Sequence, residues 1–130
     1  MSQSQNTNAA SSHPLIFVVD DEPMLLDLAA TILKPLGYAV RTFRDPEQAL
    51  AEFPKANPAV LVTDYAMGSM NGMDLVRECK RMNPRQKILL VSGTVDEQIF
   101  ADAAAQPDLF MAKPYSVVSF VESVERLAAG

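Results

Sequence analysis

Several residue types on which specialised functions depend are scarce in this 130-residue chain. It has one cysteine, Cys79, so no disulfide can form within the chain and nothing requires an oxidising compartment. Its one histidine, His13, lies in a polar N-terminal stretch without metal-ligating neighbours, and we assign it no function. These scarcities argue against a disulfide-stabilised domain and exclude phosphotransfer on a histidine of this chain.

An excess of positive charge and long apolar runs are also missing. Lys and Arg number 11 against 16 Asp and Glu, which gives a net charge of -5. Nucleic acid and anionic lipid both require a basic surface, so we expect neither direct nucleic-acid binding nor membrane binding. No apolar run approaches the roughly 20 residues that span a bilayer, and the N-terminus lacks the basic and apolar regions of a secretory signal. We therefore predict a cytoplasmic protein.

The composition fits one globular domain with a short tail. The hydrophobic fraction is 48%, and the length is sufficient to bury a core. Residues 1–13 are small and polar, with too little apolar surface to offset the entropy lost on ordering, so we predict a disordered tail. Residues 14–130 are the predicted domain. No output domain is expected, because the last predicted helix runs almost to Gly130.

Apolar runs alternate with amphipathic segments along this domain, which predicts strands alternating with helices. The predicted strands are Leu15–Val19, Ala39–Phe43, Ala59–Thr63, Lys87–Val91 and Leu109–Ala112. The predicted helices begin near Pro23, Pro46, Met73, Thr94 and Val117. Five such βα units indicate an α/β fold, (βα)5, with a doubly wound, mostly parallel five-stranded sheet and helices on both faces.

Helical spacing predicts which side chains face the core. In the first helix these are Leu25, Leu28, Ala29, Ile32 and Leu36, and in the last helix Val117, Phe120, Val121, Val124 and Leu127. Pro35 removes a backbone donor near the end of the first helix and is expected to distort its last turn. Cys79 shares a helical face with apolar residues, so we interpret it as a packing residue.

Five polar residues fall at the ends of the predicted strands. Asp20 and Asp21 follow the first strand, Asp64 the third, Ser92 the fourth and Lys113 the fifth. Because ligands of such sheets lie outside the carboxyl ends of the strands, we expect these side chains to share one pocket. Three carboxylates close together repel each other unless a cation joins them. Mg²⁺ suits such a site, since it takes few carboxylates together with waters or phosphate oxygens.

These groups are suited to phosphoryl transfer. A carboxylate beside Mg²⁺ and an ammonium can attack a phosphoryl group in line, because the two cations neutralise the charge on the transferred group. Asp64 is the best nucleophile, because it stands alone on a central strand opposite the pair Asp20–Asp21. The product would be an acyl phosphate on an aspartate.

Four sequence blocks around these residues resemble the signature blocks of the response-regulator receiver family, the family of the chemotaxis regulator. They are VVDDE, LVTDYAMGSMNGMDL, LLVSGT and FMAKP, in the expected order and spacing, and the match runs from about Leu15 to the end. The resemblance implies a flavodoxin-like strand order 2-1-3-4-5. It also implies a phosphorylation-activated switch that receives its phosphoryl group from a histidine kinase or histidine phosphotransfer protein and acts on an unknown downstream protein.

The resemblance further implies a role for each site residue. Asp64 would be the phosphoacceptor. Asp21, Asp64 and the backbone carbonyl of Ala66 would bind Mg²⁺ directly, and Asp20 would act through a bound water. Lys113 would pair with the phosphoryl oxygens.

A conformational switch is implied by the same resemblance. Ser92 would hydrogen-bond the phosphoryl group after transfer, and Phe110 would then turn inward. The readout face would comprise the helix from Thr94, the strand Leu109–Ala112 and the last helix. Pro114 matches a proline that in this family often follows a cis peptide bond.

Some positions depart from the family pattern. Gly68 stands where a proline usually follows the methionine after the acceptor, and Gln106–Pro107 replaces a Gly-Ala pair. Ala66 has no side chain that could shield the phosphoryl group, so no dephosphorylation rate is predicted.

Plainer interpretations of the individual residues stay open. The acids after the first strand could form a solvated turn before a helix, Asp64 could cap a loop, and Lys113 could be a surface lysine. Ser92 could be a helix-entry residue, and Phe110 could be ordinary core.

Several functions are compatible with the sequence. The leading hypothesis is a stand-alone receiver that catalyses only its own phosphorylation and dephosphorylation, acting as a switch, a phosphate sink or a relay intermediate, with or without dimerisation on phosphorylation. The alternatives are a phosphorylation-independent interaction module, a small Mg²⁺-dependent hydrolase and a fragment of a longer regulator. The hydrolase is disfavoured, because no insertion is long enough to form a substrate lid.

Overall fold

The computed structural model describes residues 13–93 and 104–130, in which strands alternate with helices. The elements are β1 (Leu15–Val19), α1 (Pro23–Leu33) followed by a 3₁₀ turn (Lys34–Leu36), β2 (Ala39–Phe43), α2 (Pro46–Ala56), β3 (Val60–Asp64), α3 (Gly72–Met82), β4 (Lys87–Ser92), β5 (Leu109–Ala112) and α4 (Val117–Ala129). The helix predicted from Thr94 and all of the predicted tail except His13 lie outside the described residues. Within the described ranges, no helix has the length and apolar character needed to cross a bilayer.

The five strands form one parallel sheet in the order β2-β1-β3-β4-β5, which confirms the predicted fold and strand order. The register aligns the carboxyl ends of the central strands. Asp64 on β3 is paired with Val91 on β4, and Ser92 on β4 is paired with Ala112 on β5. The residues that follow these strands therefore emerge at one edge of the sheet.

Alternate side chains of β1, β3 and β4 enter two separate cores, one on each face of the sheet. On one face Ile16, Val62 and Leu89 pack with residues of α1 and α4. On the other face Phe17 and Leu61 pack with residues of α2 and α3. Burial on both faces explains the continuous apolar runs of the central strands β1, β3 and β4 in the sequence.

Cys79 on α3 belongs to the second of these cores and is fully buried. Burial, with a smaller contribution from Glu78, raises the pKa of its thiol to about 12. A thiol held protonated in this way is a poor nucleophile, which agrees with a packing role.

The orientation of α1 differs from the prediction. Its buried side chains are Leu26, Ala29 and Leu33, whereas Leu28 is 46% exposed and Leu36 is 50% exposed. The buried set follows the spacing i, i+3, i+7, so Leu28 lies beside the buried stripe rather than in it. Leu36 falls in the 3₁₀ turn that contains Pro35, as the expected distortion of the last turn implies.

Side-chain caps fix the starts of α2, α3 and α4, whereas α1 begins at Pro23 without one. The Asp45 carboxylate accepts a hydrogen bond from the Glu47 amide at 3.0 Å at the start of α2. At the start of α3, Asn71 and Asp74 form a reciprocal capping box.

Val117, predicted to face the core from α4, is 52% exposed, because the buried face of that helix begins at Phe120.

Candidate functional site

The carboxyl ends of β1, β3 and β5 bring three acids and one lysine together, as the sequence predicts. One carboxylate oxygen from each of Asp20, Asp21 and Asp64 lies within 4.8 Å of the other two. Lys113 Nζ lies 3.2 Å from Asp64 Oδ1 and 3.6 Å from Asp20 Oδ2. Asp20 and Asp64 are buried, whereas Asp21 is exposed. The pocket therefore has a buried floor and one acid at its rim.

Backbone hydrogen bonds hold Asp20 at the end of β1. Its amide donates to the Phe43 carbonyl oxygen at 3.0 Å. Its carboxylate oxygen Oδ1 accepts the Glu22 amide at 3.0 Å, which leaves Oδ2 facing Lys113. The Asp20 side chain is thus oriented before any ligand binds.

The turn after Asp64 is packed tightly against the sheet. The Thr63 hydroxyl donates to the Asp64 carbonyl oxygen at 2.9 Å, and the Gly72 amide donates to the Tyr65 carbonyl oxygen at 2.8 Å. A Cβ atom at Gly72 would meet the Asp64 carbonyl oxygen and would lie 2.8 Å from Leu90 Cδ1. Glycine is therefore required where α3 begins. This role of Gly72 was not predicted, although Asn71–Gly72 directly before an amphipathic run is typical of a helix start.

The ends of β4 and β5 are joined through Lys113 and Ser92. The Lys113 amide donates to the Ser92 carbonyl oxygen at 2.8 Å, and the Lys113–Pro114 peptide bond is cis. Ser92 is buried, and it directly follows Val91, the register partner of Asp64. The predicted site residue Ser92 therefore lies at the same sheet edge as the acids.

Burial dominates the electrostatics of the pocket. It raises the pKa of both Asp20 and Asp64, even though Lys113 acts in the opposite direction on each carboxyl. Burial alone lowers the pKa of Lys113, but the carboxylates of Asp20 and Asp64 outweigh that effect and the net direction is upward. Lys113 is thus held as an ammonium. Its single positive charge lies beside two buried carboxyl groups, those of Asp20 and Asp64.

The donor set fits a hard divalent cation. All three acids offer oxygen ligands, which Mg²⁺ prefers, and the carboxylates outnumber the ammonium by three to one. A cation bound here would relieve the repulsion between the acids. Ala66, the predicted carbonyl ligand, is exposed in the turn directly after Asp64.

Phe110, the predicted switch residue, is half-buried on β5 and is the register partner of Leu90 on β4. That placement suits an ordinary edge-strand aromatic as well as a residue that can turn inward. Of the predicted readout face, the structure describes β5 and α4. The helix expected from Thr94 lies outside the described ranges.

Tyr115 is a neighbour of the site that the sequence analysis overlooked. Its ring is stacked on Phe120 with centroids 5.5 Å apart, and it lines a narrow cavity together with Asp20 and Asp64. The available signal was an aromatic residue two positions after Lys113, between Pro114 and the Ser116 cap of α4.

Sequence comparisons identify relatives of the chain. A family model described as the response regulator receiver domain matches residues 16–125. The chain is 31% identical to the probable transcriptional regulatory protein TcrX of Mycobacterium tuberculosis over 108 residues, which are 82% of this chain and 46% of TcrX. It is 34% identical to the nitrogen assimilation regulatory protein NtrX of Azorhizobium caulinodans over 115 residues, 85% of this chain and 25% of NtrX. The chain spans less than half the length of either relative.

Solved structures share the fold. A CheY-like response regulator receiver domain protein from Methanospirillum hungatei aligns with a TM-score of 0.83 at 23% identity, covering 91% of this chain and 95% of that one. The response regulator TrrA from Thermotoga maritima, in complex with Mg²⁺-BeF, aligns with a TM-score of 0.79 at 26% identity, covering 88% and 98%. With the family model matching most of the chain, the protein belongs to the response regulator receiver domain family, the phosphorylation-activated switches of two-component signalling.

Proposed function

We propose that Asp64 is the phosphoacceptor of this receiver domain and that residues 14–130 form the domain. The observation that supports this most strongly is the position of Asp64. It is a buried carboxylate at the end of the central strand β3, 3.2 Å from the Lys113 ammonium and beside two further acids. The Asp20 carboxylate accepts the Glu22 amide, whereas the Asp64 carboxylate lies beside the Lys113 ammonium, a group that can also bind phosphate oxygens.

The proposed reaction follows from the groups present. An oxygen of Asp64 attacks the phosphorus of the donor, the bond to the donor breaks, and an acyl phosphate forms on Asp64. Lys113 offsets the charge on the phosphoryl oxygens during transfer. Ser92, at the end of the adjacent strand, then hydrogen-bonds the phosphoryl group.

Mg²⁺ is the proposed cofactor. Asp21, Asp64 and the Ala66 carbonyl would bind it directly, and Asp20 would act through a water. When bound, the ion supplies positive charge for the phosphoryl oxygens and relieves the repulsion between the acids. The complex of TrrA with Mg²⁺-BeF gives this assignment support from a relative.

The proposed switch couples Ser92 to Phe110. Phosphorylation adds nearly two negative charges together with strong acceptor oxygens. Movement of Ser92 toward them would open space beside β5, into which Phe110 turns. A population shift between two packings of this kind would alter the face that includes β5 and α4.

The proposed partners are a histidine kinase or a histidine phosphotransfer protein upstream and a protein of unknown identity downstream. The receiver would bind the downstream protein with or without dimerising on phosphorylation. Beyond its own phosphorylation and dephosphorylation, we propose no turnover of a separate substrate. The cytoplasmic location stays a prediction.

The proposal is tested by intact-mass measurement after incubation with Mg²⁺ and a small acyl-phosphate donor. We expect wild-type protein to gain one phosphoryl group in Mg²⁺ and none in excess chelator. Asp64→Asn should gain none. Asp108→Asn is the matched control, since Asp108 is also paired with a lysine but lies at the other edge of the sheet, and it should behave as wild type.

Two results would contradict the proposal. A gain that persists in Asp64→Asn would move the acceptor to another residue. No gain with the small donor or with a panel of histidine kinases, together with no Mg²⁺ binding, would favour a phosphorylation-independent interaction module.

A further inference from the structure

A narrow cavity lies beneath the acids, between the site and the core. Its volume is about 10 Å³, close to the minimum that holds one water molecule. Asp20 and Asp64 form its polar side. Its remaining lining residues are the core side chains Val18, Val19, Leu25, Ala29, Val62, Val91, Tyr115 and Phe120. The Asp64 carboxylate therefore borders a space that is lined mostly by apolar side chains and has room for about one water molecule.

A second depression lies on the outside of the same wall. It is an open, mostly apolar groove of about 430 Å³, lined by Leu25, Leu28, Lys113, Pro114 and Tyr115. Leu25 and Tyr115 line both spaces, so their side chains separate the narrow cavity from a groove that is open to solvent.

The separating side chains are held in place by packing. The Tyr115 ring stacks on buried Phe120 with an interplanar angle of 28°. Leu25 comes from α1 and Tyr115 from the turn between β5 and α4, so two distant segments meet at this wall. We call Leu25 and Tyr115 together the partition.

We propose that the partition keeps water from the inner face of the Asp64 carboxylate and thereby lengthens the lifetime of the acyl phosphate. The inference rests on the proposed function, in which Asp64 carries the phosphoryl group.

The chemistry links hydration to hydrolysis. A water oxygen bonds to phosphorus, the bond from phosphorus to the Asp64 oxygen breaks, and its electron pair stays on the Asp64 carboxylate. The protons of the water pass to the inorganic phosphate and to solvent. Lys113, 3.2 Å from Asp64, can pair with the carboxylate as it forms, but the apolar side chains that line the cavity offer it no hydrogen bond. Keeping further water out of the cavity therefore makes Asp64 a poorer leaving group.

Truncating the partition should reverse this effect. Tyr115→Ala would join the cavity to the groove, so that water could hydrogen-bond the carboxylate as it forms. Phenylalanine keeps the ring that closes the cavity and removes the hydroxyl alone. The half-life of the phosphorylated form should therefore fall when the ring is removed and not when the hydroxyl alone is removed.

The experiment uses the full chain, phosphorylated with Mg²⁺ and a small acyl-phosphate donor and then freed of donor by gel filtration. Intact mass is followed with time. We expect Tyr115→Ala and Leu25→Ala each to shorten the half-life of the phosphorylated form about fivefold, while Tyr115→Phe stays within twofold of wild type. Val118→Ala, which truncates a side chain that is 64% exposed and lines neither space, is the matched control and should also stay within twofold.

Other results overturn the inference. A half-life of Tyr115→Ala or Leu25→Ala within twofold of wild type would show that the partition does not protect the acyl phosphate. Equal losses in Tyr115→Phe and Tyr115→Ala would assign the effect to the hydroxyl instead. If one truncation does not fold, the other decides. If wild-type protein gains no phosphoryl group at all, the proposed function fails first and the partition has nothing to protect.

Discussion

Two lysine–aspartate pairs lie at opposite edges of the sheet and differ in how completely they are satisfied. At the amino ends of β4 and β5, Lys80 Nζ donates to Asp108 Oδ2 at 2.8 Å and to the Gln86 carbonyl oxygen at 2.7 Å. Asp108 Oδ2 also accepts the Ile88 amide at 2.8 Å. At the carboxyl ends, Lys113 is 3.2 Å from one aspartate and 3.6 Å from another.

The difference distinguishes a structural ion pair from the pair that we propose to be functional. Among the described residues, Lys80 has one carboxylate partner, and that carboxylate also accepts the backbone amide of Ile88 on the neighbouring strand, so the charges balance locally. Lys113 faces two buried carboxylates, with a third at the rim, and no local balance is reached. A deficit of positive charge in a partly buried pocket is an unfavourable arrangement for stability that a bound cation relieves.

The largest expected difference between the two lysines is kinetic. Lys113→Ala should lower the rate of phosphoryl transfer from a small acyl-phosphate donor about a hundredfold, because it removes a charged group from the transferred phosphoryl oxygens. Lys80→Ala should leave the rate within about twofold of wild type. The rates are read from intact mass against time. Equal losses in the two variants would show that the lysine effect is not specific to the site.

The free energy of unfolding, in contrast to the transfer rate, should depend on the Lys80–Asp108 pair. Asp108→Ala removes the acceptor of the Ile88 amide and the partner of Lys80, and it should lower the free energy of unfolding by about 1–3 kcal/mol. Asp108→Asn keeps an oxygen acceptor and should lose less. Urea unfolding at neutral pH measures both. A neutral Asp108→Ala variant would remove the distinction between the two pairs.

The smallest expected effect is on the free energy of unfolding of the metal-free protein, which the buried acids of the site lower. Because burial raises the pKa of Asp64, the native state binds a proton at this carboxyl more readily than the unfolded chain does. At neutral pH the ionised carboxyl therefore destabilises the folded protein. Asp64→Asn should therefore unfold with a free energy about 1 kcal/mol higher than wild type in chelator at neutral pH.

The same linkage gives the sign of a pH effect. The advantage of Asp64→Asn should shrink as pH falls from neutral toward 3.8, the ordinary pKa of an aspartate, since wild type then takes up the proton that relieves it. Thermal unfolding of both variants across that range measures the difference. An advantage that grows on acidification would contradict the direction of the shift.

Much of the fold could be predicted from the sequence because the central strands, buried on both faces, are continuous apolar runs that alternate with amphipathic helices. The bounds of β1, β2 and β5 agree with the prediction. Asp20, Asp64 and Lys113 could be grouped because the carboxyl ends of parallel strands meet at one edge.

What the sequence could not specify depends on tertiary packing. The first helix carries apolar residues on adjacent stripes, and helical periodicity alone does not decide whether Leu26 or Leu28 faces the sheet. Lys80 and Asp108 are 28 residues apart, a separation that no local pattern joins. Tyr115 escaped notice for the same reason, since its place in the wall beside Leu25 depends on how α1 meets the turn before α4.

The most direct test of the central claim is to locate the phosphoryl group. Protein phosphorylated with a small donor in Mg²⁺ would be treated with borohydride, which reduces the acyl phosphate of an aspartate to the homoserine alcohol, and then digested and sequenced by mass spectrometry. We predict homoserine at position 64 and at no other aspartate. Homoserine at Asp20 or Asp21 instead, with position 64 unchanged, would contradict the assignment of Asp64 as phosphoacceptor.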